Sequence, residues 1–392
     1  MAKNTKEKIS KNKNVKDKEI NKYLLRVHKV CEWMAKEGIA LIMLEDTEAN
    51  RDQNIRWLTG QPGDSLFFLS QDGKAALAAW DVNMANIFAK QSGVPVIPYD
   101  SFDRKPLRAI SNITKLMEIP AGSKIDIPSR TPYPHFLKYV GELTNYDILC
   151  NENGASAEIN KMRAVKDKEE TAILKNAANI TNELIDSLEK KVISGKIKTE
   201  ADAALFIEAE SRKLGCEGTG FETLAAGPQR SFGIHAFPAW TNAPFGGKGL
   251  SILDFGVKLN GYCTDVTLTF ARDLNPKQEK MVSLVEKAAK TAASMAHNGT
   301  PARDIAKTVD AFFAKSNKKM PHGLGHGIGL EPHEFPSIRS TGGGDWTLEP
   351  GMIFTLEPGL YDPQLGGCRL ENDFLITETG CDVLTTAHII HI

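Results

Sequence analysis

The sequence predicts an α+β chain in two parts: a smaller mixed α/β domain, then a larger domain in which helices cover an antiparallel sheet. Three observations carry this. Strand-like and helix-like runs alternate up to about residue 150. Beyond it come two pairs of helical runs, 167–194 with 199–214 and 275–297 with 301–315, each followed by strand-like runs. Asn260-Gly261 stands between two such runs, and a type I′ hairpin turn needs positive φ at both central residues. The 392 residues give ample length for two cores. The expected division is a lysine-rich disordered tail over 1–18, an amino-terminal domain over 19–155 and a second domain over 156–392.

Taken in order, Ile20, Leu24, Val27, Cys31 and Met34 recur at helical spacing, and Gly38 supplies a stop. That stripe is expected to face a core. A strand at 39–43 follows, then a hairpin of 65–70 with 75–80 around Gln71-Asp72-Gly73, a strand at 95–99, and helices near 105–118 and 132–142. In the second part Thr199 opens a helix, and the charges of Lys166-Asp167-Lys168-Glu169-Glu170 read as a solvated face. Pro301 suits the first helical position after Thr300. Gly342-Gly343-Gly344 reads as a loop.

Composition narrows the function classes. Formal net charge is −1, so no global drive toward nucleic acid or membrane exists. No apolar run approaches the ~18 residues of a spanning helix. The six cysteines contain no C-x-x-C, and with no disulfide spacing and no signal peptide a reducing cytoplasm is expected. No G-x-S-x-G and no P-loop is present.

The chemistry gathers in Asp254, Asp265, His326, Glu357 and Glu371. Each lies in a short stretch of apolar and glycine residues, where several carboxylates are prohibitive unless protonated or neutralised by cations. If Asn260 and Gly261 make the turn, Leu259 pairs with Tyr262 and Asp265 lies opposite Gly256. Asp254 and Asp265 then share a face as diagonal neighbours, about 7–8 Å apart. Side chains leaning across that gap can hold metals about 3.5–4 Å apart, and the glycine is expected to leave room for the ions. His322, His326 and His333 cluster in a glycine-rich stretch, where glycine lets backbone approach a ligand or another strand. Glu357 ends one strand-like run and Glu371 starts another. Their connection is too long to fix register, while Arg369 and Glu371 share a face.

These residues resemble the pita-bread metallopeptidases, in the branch of prolidases and Xaa-Pro aminopeptidases. The resemblance rests on Asp254 to Asp265, the Gly-His-Gly-Ile-Gly-Leu stretch with His333-Glu334 after it, Thr-Leu-Glu-Pro-Gly-Leu-Tyr, and Arg-Leu-Glu. It extends upstream through 162–170 and Leu58-Thr59-Gly60. It implies a pita-bread catalytic domain that hydrolyses Xaa-Pro bonds in short peptides, with two divalent metal ions per chain. Asp254 would bind one ion, Asp265 and Glu371 would bridge both, and His326 and Glu357 would complete the shell. Glu357 would also shuttle the proton of a bridging water, whose hydroxide attacks the carbonyl. His235 matches a histidine near the leaving proline, His333 one that steadies the carbonyl, and His322 one of the aminopeptidase branch. Arg369 matches a basic residue that helps hold a substrate carboxylate; pairing with Glu371 or Asp373 is the alternative. Four oxygen-donor residues and one imidazole suit manganese, with cobalt, zinc and iron as alternatives. A homodimer is implied by the resemblance alone.

Three departures stand out: Leu268 replaces a family arginine, Thr264 a serine, and Asn372 an aspartate. They bear on substrate preference rather than on the ligand set. The alternatives are a related metallohydrolase or lyase acting on a small non-peptide amide, and a catalytically silent binding protein.

Overall fold

The computed structural model of the protein describes residues 21–392. The lysine-rich stretch 1–18 and Ile20 of the expected stripe lie outside the described residues. The chain divides into two compact units, one ending at Ile159 and one running from Asn160 to Ile392.

The first unit is built on a six-stranded sheet. Its spatial order is Val96–Pro98, Ala75–Ala79, Ser65–Ser70, Ile39–Asp46, Lys124–Asp126, Asp147–Leu149. The three central strands pair antiparallel and the outer pairs run parallel. Leu41, Met43, Leu66 and Phe68 share a core with Ile110 and Ile113 of the helix Pro106–Leu116 and Tyr139 of the helix Tyr133–Glu142. The expected stripe of the first helix, Lys22–Glu37, is corrected. Its buried residues are Tyr23, Arg26, Val30 and Met34, and Leu24 is 59% exposed. Arg26 turns the helix. Its Nη1 donates to the Trp57 carbonyl at 2.8 Å, and its guanidinium lies 4.7 Å from the Trp57 ring centroid. A cation with an apolar stem takes the inside position that hydropathy assigns to leucine.

The second unit repeats one theme twice. The helices Lys168–Ile193 and Glu200–Lys213 pack on Gly249–Phe255 and Val266–Arg272, burying Leu184, Leu188, Ile207, Leu253, Leu268 and Phe270 together. The helices Pro276–Met295 and Ala302–Ala314 pack on Glu334–Ile338, Ile353–Leu356 and Asn372–Ile376, with Val285, Val309, Phe313, Phe354 and Phe374 between them. Leu268 points into the first of these cores, which suits an aliphatic chain.

Capping boxes open three of these helices: Asp167 with Glu170, Thr199 with Asp202, and Asn275 with Gln278. The charges at 166–170 are therefore a solvated face only in part, with Lys168 and Glu169 exposed. Lys166 is 5% exposed and Glu170 3% exposed, and Glu170 accepts both the Asp167 N–H and the Tyr262 hydroxyl. Pro301 is the residue ahead of its helix rather than the first within it. Thr300 Oγ1 turns back to the Met295 carbonyl instead of capping forward.

Candidate metal centre

The first hairpin turns at Asn260 (φ 49°) and Gly261 (φ 90°). Leu259 pairs with Tyr262, and the same register resumes beyond a break, with Phe255 opposite Val266 and Asp254 opposite Thr267. The break falls at Gly256 and the Thr264–Asp265 step. A Cβ on Gly256 would lie 1.7 Å from the Thr264 carbonyl oxygen. The expectation that this glycine clears space for ions is thus corrected: it clears space for the opposite strand's backbone. Thr264 Oγ1 accepts the Val257 N–H at 3.0 Å and meets Thr181 Oγ1 at 2.8 Å, which pins the break to the helix behind it. Freed from the ladder, the Asp265 N–H points at both carboxylate oxygens of Asp373, each at 3.3 Å.

The second pair of strands has the same design. Leu356 pairs with Asn372 and Gly359 with Arg369, so one register spans the gap that holds Glu357 and Glu371. The two glutamates face each other across the break. The Glu357 N–H goes to the Leu324 carbonyl at 2.8 Å and the Glu371 N–H to the Thr267 carbonyl at 3.2 Å. That second bond joins the two hairpins. Beside the second hairpin, between Glu334–Ile338 and Ile353–Leu356, runs the short strand Gly325–Gly327, where added Cβ atoms on the two glycines would lie 2.0 Å from the Thr355 oxygen and 1.9 Å from the Phe335 oxygen. Only glycine permits this approach, and it delivers His326 into the cleft.

One ligand atom each from Asp265, His326 and Glu371 lies within 4.8 Å of the others. His326 Nε2 is 3.7 Å from Asp265 Oδ2 and 3.7 Å from Glu357 Oε1. Its Nδ1 lies 3.2 Å from the Gly327 carbonyl, which can only accept, so the proton is assigned to Nδ1 and the Nε2 lone pair faces the carboxylates. His322 is held likewise, with Nδ1 2.7 Å from the Gly323 carbonyl and Nε2 free to accept from the Tyr361 hydroxyl at 3.1 Å. Burial pushes the pKa of His322 down to about 4 and that of His326 down to about 3, so both are neutral ligands or acceptors at pH 7. The His333 ring packs on His326 at a tilt of 37°, with centroids 4.0 Å apart. His235 lines the same cavity, an opening of about 450 Å³.

Asp254, Asp265, Glu371 and Asp373 are at most 9% exposed, and Glu357 shares their cavity. Burial, then the neighbouring Glu371, raises Asp265 and Glu357 well above the carboxylate range. Burial and Asp254 lift Glu371 to about 7. One buried cation answers this set. Arg369 donates Nη2 to Asp254 Oδ2, Nε to Thr267 Oγ1 at 2.9 Å, and Nη1 to Tyr361 Oη at 2.9 Å and the Ile234 carbonyl at 3.1 Å. Four of its five N–H groups are used and the residue is 2% exposed, so it orients Asp254. It pairs with neither Glu371 nor Asp373. Asp254 Oδ1 is buried with no hydrogen-bond partner. Oxygen donors with an excess of negative charge, one imidazole lone pair and an orphaned carboxylate oxygen fit divalent cations.

Sequence reasoning passed over Thr267, Tyr361 and Arg339, and named Asp373 only as an alternative partner of Arg369. Tyr361 sits inside a quoted motif, Thr267 follows Asp265 by two and Asp373 follows Glu371 by two, so strand parity was an available signal. Asn372 spends its whole amide on the carboxyl-terminal segment. Its Nδ2 donates to the Ala387 carbonyl at 2.9 Å, and its Oδ1 accepts the Ala387 N–H at 2.7 Å. An aspartate could not make the first of these bonds.

This fold and cleft define a metallopeptidase. The chain belongs to metallopeptidase family M24, whose model matches residues 172–378, and its fold is the pita-bread fold. Among known proteins it is 34% identical to YkvY of Bacillus subtilis over 234 residues, 59% of this chain and 63% of that one, so the match spans less than two thirds of that relative. It is 26% identical to the Xaa-Pro dipeptidase of Pyrococcus horikoshii over 367 residues, 92% of this chain and 96% of that one. The crystal structure of recombinant prolidase from Thermococcus sibiricus superposes with a TM-score of 0.79 at 26% identity, covering 97% of this chain and 100% of that one. No helix among the described residues is long and apolar enough to cross a membrane.

Proposed function

We propose that this chain hydrolyses Xaa-Pro bonds in short peptides with two divalent cations, manganese first, held by Asp254, Asp265, His326, Glu357 and Glu371. The observation that carries the reading is the convergence of buried Asp265, His326 and Glu371 ligand atoms among carboxylates with too few positive partners. The names of the relatives above support the bond that is cut. Bound cations supply a hydroxide nucleophile near neutral pH and polarise a carbonyl. The chain's own residues do the rest. Glu357, with a raised carboxyl pKa, takes up and returns the proton. His333 and His235 line the cavity where the carbonyl and the leaving nitrogen lie. Phe221, Leu224, Ile234 and Phe237 form an apolar wall for the proline ring. Homodimerisation, which rests on the family resemblance, and a cytoplasmic site of action, which rests on the cysteine usage, belong to the same reading.

With Arg369 spent on Asp254, the substrate carboxylate falls to the other arginine of the cavity. Arg339 is exposed and lines the opening. Its stem lies where a Gly323 Cβ would be, 2.9 Å from both Cγ and Nε. A free cation at the mouth favours a dipeptide whose carboxylate it can meet.

Hydrolysis of Ala-Pro and Ala-Pro-Ala by chelator-stripped protein, titrated with manganese, tests the reading. Metal should restore cleavage of Ala-Pro, and Glu357→Ala should abolish it. Arg339→Met should raise KM for Ala-Pro about tenfold, the equivalent of ~1.4 kcal/mol, and change it little for Ala-Pro amide. Metal binding without cleavage of either peptide would sink the peptidase and leave a hydrolase of non-peptide amides. Neither binding nor cleavage would leave a binding protein.

A further inference from the structure

We propose that Arg163 and Lys166, acting through Glu334, are positioning residues that hold the His333 ring over His326. The inference rests on the reading above that His333 serves the reaction. His333 makes no hydrogen bond or ion pair through its ring among the described residues; its one ring contact among them is the tilted packing on His326, with centroids 4.0 Å apart. A ring held that way takes its place from its backbone, and the backbone here is fixed one residue on.

Glu334 is the fixed point. Its side chain is 4% exposed. It accepts from Arg163 Nη2, and its Oε2 lies 3.4 Å from Lys166 Nζ. It also accepts the Glu331 N–H at 3.0 Å. Arg163 Nη2 reaches Glu331 Oε2 as well, at 3.0 Å, so both ends of the 331–334 turn are tied to one guanidinium. Arg163 is 2% and Lys166 5% exposed. A Cβ on Gly329 would lie 2.4 Å from Glu334 Oε2, so the glycine makes the berth for this carboxylate. The Gly329 carbonyl accepts the Cys263 N–H at 2.7 Å, which anchors the start of the loop to the hairpin that bears Asp265. The loop carrying His333 is thus clamped at both ends, by the metal-binding hairpin and by a buried ion cluster.

Stability alone is a poor reason for that cluster. Burying two cations and a carboxylate costs several kcal/mol per ion, and packed apolar side chains of similar volume serve a fold as well or better. Ions do supply direction: Arg163 and Lys166 approach Glu334 on different oxygens, and a carboxylate held from both sides cannot swing. Fixing its backbone fixes the Cα of His333.

The test uses the full-length protein with Glu334→Gln, Lys166→Met, Arg163→Met and the conservative Arg163→Lys. Two readouts are taken: kcat and KM for Ala-Pro with manganese, and the His333 imidazole proton–carbon NMR signals of metal-free protein, assigned by their loss in His333→Gln. We expect Glu334→Gln and Lys166→Met to lower kcat at least tenfold with KM within twofold, to leave bound metal per chain unchanged, and to move the His333 signals. Arg163→Lys should keep more than half of kcat. If Arg163→Met does not fold, the nearly isosteric Glu334→Gln still decides. Variants that lose thermal stability but keep kcat and the His333 signals overturn the proposal, as does a fall in kcat with those signals unmoved. A wild-type protein that cleaves no Xaa-Pro peptide would remove the functional reading, and the His333 signals alone would then settle the clamp.

Discussion

A single hydroxyl ties the centre's cation to one of its carboxylates. Thr267 Oγ1 accepts from Arg369 Nε at 2.9 Å and donates to Glu371 Oε2 at 2.7 Å. A hydroxyl has one proton to give, so the acceptance from Arg369 decides that the proton goes to Glu371. The guanidinium then aims Nη2 at Asp254 and leaves Asp254 Oδ1 bare for a cation. Thr267→Val keeps the shape and deletes the relay. Partners behind a ligand are worth about 10–100-fold in metal affinity, so the variant should bind manganese that much more weakly in competition with a chelator while retaining its fold by circular dichroism. Unchanged affinity would show that the bond positions nothing. The sequence placed Arg369 and Glu371 on one face, because strand parity is local. It assigned Arg369 to the substrate because nothing local reveals that Asp254 and Thr267 arrive from the other hairpin. The candidate ligands were legible one residue at a time, and the wiring among them was not.

Each hairpin keeps one register through a break, and three of the proposed ligands, Asp265, Glu357 and Glu371, stand at the breaks. The first register was legible because Asn-Gly dictates its turn. The second was not, since Pro358-Gly359 reads as a strand end. In the structure pairing resumes at Gly359, and Gly359–Asp362 with Gly366–Arg369 carries it to the turn. The short helices Gln53–Thr59, Val82–Phe88 and Ala155–Met162 were also missed, being too brief for periodicity to register. The breaks depend on backbone contact that a side chain would forbid. Gly256→Ala puts a methyl 1.7 Å from a carbonyl oxygen that Thr264 cannot withdraw, because its own hydroxyl is bonded to Val257 and Thr181. Overpacking of this kind costs about 1–3 kcal/mol or more. We expect a lower Tm and less than half of the wild-type metal per chain by elemental analysis. A variant with full metal and unchanged Tm would mean that the break is not held by this contact. Gly38, whose missing Cβ meets nothing within 4 Å, is the control. Gly38→Ala loses only its left-handed preference (φ 67°), about 1 kcal/mol, with metal content intact.

Over the whole molecule the charges nearly balance, with a net of −1, yet the cleft concentrates largely buried carboxylates. Composition cannot report this, because averaging over the chain hides a local excess. Its consequence is a stability that depends on pH and metal together. A carboxyl that holds its proton more tightly in the folded chain stabilises the fold while protonated, and loses that contribution as pH rises from its unfolded to its folded pKa. Burial and Asp254 place that window for Glu371 between the ordinary ~4.5 and about 7, and Asp265, Glu357 and Asp373, raised well above their usual values, extend it upward. The histidines act in the opposite sense. His322 and His326, lowered by burial to about 4 and about 3, add stability as pH rises to their unfolded value of 6.5 and nothing beyond. Above pH 6.5 these two histidines add nothing further, and the cleft carboxylates set the trend. Chelator-treated protein should lose Tm steadily from pH 6.5 to 8.5. Protein with saturating manganese should hold its Tm over the same range, because the ions replace the lost protons, so the gain in Tm from metal should grow with pH. Scanning calorimetry of both forms in matched buffers checks this. A metal-free Tm that stays flat or climbs across that window would mean that the buried carboxylates are already balanced without cations.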